Sequence, residues 1–292
     1  LNSIESLLAS RALFGLCVAT LMIVSTSLVG DYFKEHDRHK FMGYQSAFMA
    51  IGGVFFVIGG GFLSDINWRF PFGIYFIGLV LLPFVILFLK EKKIESTQEE
   101  LSIDIGKNML VVYFLAFIYM LLFFILPTQI PFLLIEKFEA SGKMAGTVIA
   151  TAFFCNALGA IAFSKLKKYL NFIAIYLIGI TLMALGFSLV GVINHIYFFF
   201  ITSPILGFAG GIMMTNATAW MLSKTSHEKR VKSSGYFTSA IFLGQFLSPI
   251  VFHPFLDFLE IQDFFFYIVL SLFFVSFIAF VFLRFKTKIK QK

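Results

Sequence analysis

The sequence predicts an all-α membrane protein, a bundle of helices that cross a lipid bilayer. Of its 292 residues, 59% are hydrophobic and only 13% are charged, whereas a soluble domain carries about 25% charged residues. The apolar residues also fall in repeated runs of about 20, the length that a helix needs to cross a hydrocarbon core. These runs are continuously apolar rather than alternating, which excludes an outer-membrane barrel.

Nine apolar runs are candidate membrane spans. In chain order they cover approximately residues 7–30, 41–63, 70–89, 109–130, 144–163, 170–191, 196–222, 234–256 and 264–284. The longest polar stretch of the chain, 90–108, separates the third span from the fourth and is predicted to be a linker.

The basic residues are distributed unevenly between alternate connectors. Of 23 Lys and Arg residues, 19 lie in the segments 31–40, 90–108, 164–169, 223–234 and 284–292. By the positive-inside rule these five segments face the cytoplasm. We therefore expect a multi-pass protein of the plasma (cytoplasmic) membrane with a cytoplasmic C-terminus. The same distribution accounts for the net charge of +7 without a nucleic-acid partner.

A short motif recurs at two basic connectors, 192 residues apart. It reads Arg38-x4-Gly43-Tyr44 before the second span and Arg230-x4-Gly235-Tyr236 before the eighth. Many transporters consist of two six-helix halves in parallel repeat. On this interpretation residues 1–89 are three helices of a first half, 90–108 is the linker, and 109–292 is the second half. Three further helices are then expected upstream of Leu1.

The first span carries Arg11-x3-Gly15-x3-Ala19, with all three residues on one helical face. The motif resembles the fourth-helix motif of the major facilitator superfamily, and the resemblance extends over the whole chain as the family's helices four to twelve. It implies that Arg11 faces a central cavity and that Gly15 allows close helix contact. The alternative is that Arg11 extends to the outer interface of the bilayer. The resemblance also implies a gating ion pair for Asp31, which closes this span.

The second span contains Gly52, Gly60 and Gly61 and is followed by Trp68-Arg69-Phe70. This pattern is similar to the fifth helix of drug:proton antiporters of the same superfamily. The sequence departs from that pattern at Phe56 and Val57, where those antiporters place Gly-Pro. The alternative interpretation is that these glycines only permit close helix packing.

The later spans contribute further candidate residues. Pro127 and Pro131 bracket Gln129 and predict a bend, because proline interrupts the helical hydrogen bonds. Gly207 and Gly211 form a small-residue face suited to helix contact. The amides deep in the spans, expected to face the bundle interior because unpartnered polar groups are costly in lipid, are Asn156, Asn216 and Gln245, and Gln129 at the end of the fourth span is a further cavity candidate. They either contact substrate or bond a neighbouring helix.

None of the sixteen acidic residues lies in the middle of a predicted span. Proton coupling generally uses a titratable group at membrane depth. The coupling carboxylate is therefore expected in upstream helices, unless the protein is not driven by protons.

The resemblance implies a secondary transporter that works by alternating access and exports small organic molecules or drugs in exchange for protons. Uptake or facilitated transport of a sugar, amino acid or organic anion is the alternative, and an inactive truncated fragment is a second one. The spans contain no nucleophile motif, P-loop or metal-ligand spacing, so no enzyme activity, cofactor or metal is expected. The expected partners are a small-molecule substrate, protons and the lipid bilayer, and the protein is expected to be a monomer.

Overall fold

The computed structural model of the chain describes residues 4–33, 35–67, 69–88, 107–192, 195–226, 229–259 and 263–274. Within these ranges all regular structure is helical and forms nine rods, one for each predicted span. The predicted all-α fold class is confirmed.

The first three rods are α1 (Ile4–Tyr32), α2 (Glu35–Ile66) and α3 (Ile77–Phe88), the last preceded by a 3₁₀ helix at Phe70–Phe76. The fourth rod is divided into α4 (Lys107–Phe123), α5 (Ile125–Thr128) and α6 (Ile130–Phe138). The remaining rods are α7 (Gly142–Tyr169), α8 (Phe172–Gly191), α9 (Phe199–Ser223, after a 3₁₀ turn at Ile196–Phe198), α10 (Arg230–Phe258) and α11 (Asp263–Phe274).

Six helical segments of the described chain are long and apolar enough to cross a membrane. They are Ala9–Val29, Met109–Phe138, Gly142–Tyr169, Phe172–Gly191, Ile196–Ser223 and Arg230–Phe255. Two shorter apolar helices are present at Phe72–Phe88 and Asp263–Phe274. These lengths match the thickness of a bilayer core, and they make the protein a multi-pass membrane protein.

Several boundaries differ from the sequence prediction. The basic segment 164–169, predicted as a connector, forms the last turns of α7, and α8 begins at Phe172 after Asn171 caps it through the backbone N–H of Ala174. The basic residues of 38–40 and 230–232 likewise lie inside α2 and α10. The lysines in the last turn of α7 interact favourably with the negative end of the helix dipole. The basic residues near the starts of α2 and α10 gain nothing from that dipole and mark helix ends that extend beyond the apolar core. The predicted linker lies outside the described residues except for 107–108, which begin α4.

Helix α7 packs against both α2 and α9, and α2 also contacts α9. It runs antiparallel to α2 and parallel to α9, as the paired residues of each interface indicate. On the other side of the bundle α10 packs along α4 and also contacts α1. Most of α9 is buried, so the core of the described bundle is centred on this helix.

Candidate functional site

Helices α7 and α9 approach each other at backbone distance. A Cβ atom added to Gly207 would overlap the carbonyl oxygen of Ala152, and one added to Gly211 would overlap the carbonyl oxygen of Asn156. Small residues at four-residue spacing let two helix backbones touch in this way. Gly207 and Gly211 therefore serve helix packing, as their spacing predicted.

The interface between α2 and α7 is also built from small residues. A Cβ atom on Gly43 would lie 2.8 Å from the carbonyl oxygen of Ala160. Next to this contact a compact buried cluster of alanines is formed by Ala47, Ala50, Ala157 and Ala160. Gly43, in the first copy of the repeated motif, is thus a close-contact residue.

The other predicted packing glycines have different surroundings. No described atom outside the local helix backbone lies within 4 Å of a Cβ built on Gly15. A Cβ on Gly52 would meet only the ring of Phe56 in the same helix, at 3.8 Å. Gly60 and Gly61 belong to α2, but their surroundings lie outside the described part of the chain. The close approach predicted at Gly15 and Gly52 is therefore not found among the described residues.

The second copy of the repeated motif lies where α10 meets α1. A Cβ on Gly235 would lie 3.9 Å from Cδ1 of Ile23, which is ordinary contact. Ser234, the residue before Gly235, is buried, and its hydroxyl accepts a hydrogen bond from the hydroxyl of Ser27 in α1 over 3.3 Å. Both copies of the motif therefore lie at contacts between helices distant in sequence, but only Gly43 requires the absence of a side chain.

The two arginines of the repeat occupy different environments. Arg38 donates from Nε and Nη2 to the carbonyl oxygen of Phe33, each over 3.3 Å. This hydrogen bond closes the short connector between α1 and α2. Arg230, the first residue of α10, is buried. The side chain of Asp31, predicted to form a gating ion pair, lies outside the described residues.

Gln129 occupies the break in the fourth rod, between α5 and α6. Its side chain is only 3% exposed, and no described group donates a hydrogen bond to its Oε1. Proline lacks an N–H, so Pro127 and Pro131 cannot donate to the carbonyl oxygens of Phe123 and Pro127. The helix is interrupted at this point, as the prolines predicted, and the interruption carries a buried acceptor, Gln129 Oε1.

Asn216 forms a hydrogen bond between helices. It is fully buried, and its Nδ2 donates to the carbonyl oxygen of Phe172 over 2.9 Å, which holds the start of α8 against α9. The ring of Phe172 stacks on Trp220 with an interplanar angle of 2°, and Lys167 Nζ lies 4.2 Å from the ring centroid. Of the two roles considered for this amide, this geometry favours bonding to a neighbouring helix.

The remaining amides, Asn156 and Gln245, are half-buried on α7 and α10. Asn156 contributes its backbone carbonyl to the close contact with Gly211. Gln245 follows Gly244, where a Cβ would lie 2.6 Å from the carbonyl oxygen of Phe117 in α4. Both amides therefore adjoin tight helix contacts that fix their positions along the bundle.

Arg11 lies among aromatic side chains that lead into α3. Its Nη1 donates to the Tyr75 hydroxyl over 3.0 Å, and its guanidinium carbon lies 5.1 Å from the ring centroid of Phe72 and 5.9 Å from that of Tyr75. The ring of Phe14 contacts Tyr75 at a centroid distance of 4.8 Å. Arg11 is exposed among the described residues and joins α1 to the 3₁₀ helix before α3.

Sequence reasoning missed two kinds of buried polar group. The Tyr119 hydroxyl donates to the carbonyl oxygen of Gly210 over 2.9 Å and joins α4 to α9. Buried hydroxyl oxygens without a described partner occur at Thr202, Ser203 and Ser248. The tyrosine could have been found, because a tyrosine deep in an apolar span needs a hydrogen-bond partner. No sequence signal distinguishes these hydroxyl groups from ones that bond their own helix.

Among the described residues no group of three or more His, Cys, Asp or Glu side chains could hold a metal ion. The site is instead a set of helix contacts through small residues, next to a broken helix with a buried amide. Together with the long apolar rods, these features define a polytopic helical membrane protein. The sequence matches the Major Facilitator Superfamily over residues 1–110 and 112–292, and the chain belongs to that family of transporters, which are not enzymes.

Two similar proteins illustrate this membership. The chain is 26% identical over 265 residues to Multidrug resistance protein 1 of Bacillus subtilis (strain 168), an alignment that covers 86% of the chain and 66% of that protein. The chain thus spans slightly less than two thirds of that relative. Its fold matches the crystal structure of the human organic anion transporter MFSD10 (TETRAN) with a TM-score of 0.75 and 17% identity, over 88% of this chain and 67% of the other.

Proposed function

We propose that the protein is a secondary transporter that exports small organic molecules across the cytoplasmic membrane, coupled to protons, by alternating access. The observation that carries the proposal is Gln129, a buried amide with an unpartnered oxygen in a helix broken by two prolines. Broken helices near the middle of a transporter are common binding sites, because their freed carbonyl groups contact substrate or ion.

The chemistry at Gln129 suits a ligand that donates hydrogen bonds. The unpartnered Oε1 and the backbone carbonyls freed by Pro127 and Pro131 are all acceptors. An unsatisfied buried acceptor costs about 1–3 kcal/mol, and a substrate bearing an amine, amide or hydroxyl group would remove that cost on binding. We therefore propose Gln129 as a substrate-contacting residue.

Export is supported by two independent features. The relative from Bacillus subtilis is named a multidrug resistance protein, and the glycines after Gly52 are similar to the fifth helix of drug:proton antiporters. The departure at Phe56 and Val57 favours the alternative, uptake or facilitated transport of a sugar, amino acid or organic anion. The direction of flux in whole cells distinguishes these two proposals.

The test is flux of a fluorescent lipophilic amine in vesicles that contain the protein. A pH gradient, acidic inside, should drive accumulation of the amine beyond that in protein-free vesicles, in which a weak base is trapped by protonation alone. An ionophore that dissipates the gradient should abolish the difference, and a sodium gradient of equal size serves as the control for the coupling ion. If neither gradient drives more flux of the amine or of a panel of neutral solutes than protein-free vesicles show, the proposal of proton-coupled export is wrong.

The role of Gln129 requires its own variant. Gln129→Leu should lower the initial flux at least fivefold while the amount of folded protein is unchanged. Thr181→Val is the matched control, because Thr181 is exposed on α8 and its hydroxyl bonds the carbonyl oxygen of Leu177 in its own helix over 2.9 Å. Equal flux in both variants would show that Gln129 does not contact the substrate.

A further inference from the structure

An aromatic groove lies between the end of α10 and the start of α11, apart from the residues discussed above. Its volume is about 600 Å³. We call it the α10–α11 groove. Its floor is formed by Phe252, Phe264 and Ile268, and its rim by Phe255, Phe258 and Tyr267.

The floor of the groove is fixed by packing on two sides. The rings of Phe252 and Phe264 meet edge to face at a centroid distance of 6.1 Å. The next residue, Phe265, stacks on Phe187 of α8 at 5.8 Å. Phe264 and Phe265 are 2% and 1% exposed, so both α8 and α10 position α11. The floor of the groove is therefore held in place by ring contacts to α8 and α10.

The rim is open. Phe255, Phe258 and Tyr267 are 51%, 86% and 56% exposed. The hydroxyl of Ser271, which also lines the groove, donates to the carbonyl oxygen of Ile268 in its own helix over 2.7 Å. Its one donor hydrogen is thus already used. The lining offers aromatic faces and edges, and it suits an apolar occupant.

The chemistry of the lining selects among apolar occupants. In a bilayer no hydrophobic driving force moves an acyl chain into a protein groove, because the surrounding lipid is equally apolar. Aromatic rings differ, because edge-to-face and offset contacts between rings are favourable beyond the area that they bury. A volume of about 600 Å³ also lies within the range of pockets that hold drug-sized molecules.

We infer that the α10–α11 groove binds the aromatic ring system of a lipophilic molecule that reaches it from the membrane. Phe255 of α10 and Tyr267 of α11 contact the rings from opposite sides. Phe252 and Phe264 form the surface beneath them. Binding at this site needs no gradient and no transport cycle. Its test is therefore independent of the proposed export and of Gln129.

The experiment uses the full chain in phospholipid vesicles and a photoactivatable aryl diazirine, an apolar aromatic probe that dissolves in bilayers. Adducts are mapped by peptide mass spectrometry at increasing probe concentration. Labelling of the groove should saturate, and naphthalene should compete at least fivefold more effectively than decalin, its saturated analogue. Labelling that rises linearly, or equal competition by both compounds, would overturn the inference and indicate acyl chains as the occupant.

Variants separate ring contacts from apolar burial. Phe255→Leu combined with Tyr267→Leu keeps the lining apolar but removes two rings, and it should raise the half-saturating probe concentration at least fivefold. Phe246→Leu is the matched control, since Phe246 is 65% exposed on the same helix α10 and lies outside the groove. An unchanged half-saturation in the double variant would refute the role of the rings.

A second copy of the chain is the remaining possible occupant. Phe258→Cys places a thiol on the exposed rim, in a background with Cys17→Ser and Cys155→Ser. Efficient disulfide cross-linking between two copies in vesicles, abolished by dilution with lipid, would show that protein covers the groove and would overturn the inference. We expect the variant to remain uncross-linked.

Discussion

Gly211 of α9 lies directly against the backbone carbonyl of Asn156 in α7, so that no side chain fits between the two helices. This contact and its neighbour one turn away make α7 and α9 a rigid pair, because the two backbones touch. On its other side α7 receives Gly43 of α2 against Ala160. Three helices are thus held together at positions that tolerate only a hydrogen atom in place of a side chain.

Gly211→Val should destabilise the protein markedly. The added side chain overlaps the Asn156 carbonyl and forces α7 away from α9, and overpacking of this kind costs about 1–3 kcal/mol or more. Thermal unfolding in detergent, followed by loss of the monodisperse peak on size-exclusion chromatography, measures the effect. Gly15→Ala is the control: with no described atom within 4 Å of its Cβ, it should unfold at the original temperature or slightly above it.

The two glycines of the repeated motif should respond differently to the same substitution. Gly43→Ala brings a methyl group to 2.8 Å from the Ala160 carbonyl oxygen, which is backbone and cannot move aside. Gly235→Ala brings one to 3.9 Å from a flexible methyl of Ile23. We expect Gly43→Ala to lower the unfolding temperature by several degrees and Gly235→Ala to leave it unchanged. Equal effects would contradict the geometry.

Replacing two buried amides should change stability in opposite directions. Gln129→Leu removes an unpartnered acceptor from a dry environment, so the unfolding temperature should hold or rise. Asn216→Leu removes the hydrogen bond that joins α9 to the start of α8, at a net cost of about 0.5–1.5 kcal/mol. Thermal unfolding of both variants in one detergent measures the difference. A stable Asn216→Leu variant would argue against the structural role of that amide.

The contacts of Arg11 with aromatic side chains predict how substitutions at Arg11 and Tyr75 change flux. Tyr75→Phe removes the 3.0 Å hydrogen bond but keeps the ring near the guanidinium, so flux should fall less than about twofold, because the cation–π contacts remain. Arg11→Met removes both interactions and should lower flux at least tenfold. Flux of the fluorescent amine in vesicles measures both changes. If Tyr75→Phe is as damaging as Arg11→Met, the hydrogen bond rather than the ring positions Arg11.

The orientation of the chain can be tested on a single helix. Lys143 and Lys168 are both exposed and lie in the first and last turns of α7. After removal of Cys17 and Cys155, Lys168→Cys should react with an impermeant maleimide only when the reagent reaches the cytoplasmic side. Lys143→Cys should react only from the opposite side. The reverse pattern would invert the topology that the positive-inside rule predicts.

Much of the fold follows from local properties of the chain. Apolar length and the absence of alternation predict the nine helical rods of the described residues, six of which are long and apolar enough to cross a membrane, because a span is defined by the lipid around it rather than by a partner. The break at Gln129 was also predictable, since a proline removes a hydrogen bond whatever surrounds it. The ends of the helices were less predictable: α7 includes the lysines at 165–168, which charge patterning had placed in a connector.

The roles of individual residues were decided by the tertiary structure. Gly15 and Gly211 both stand in small-residue patterns with a spacing of four, yet only Gly211 meets a neighbouring backbone. From the sequence, Asn216 could face either substrate or a neighbouring helix. In the structure its side chain donates to the carbonyl oxygen of Phe172 in α8. Sequence determined by itself which segments are apolar enough to enter a membrane, because burial in lipid depends on composition. Only the relative placement of two helices determines which small or polar side chain lies between them.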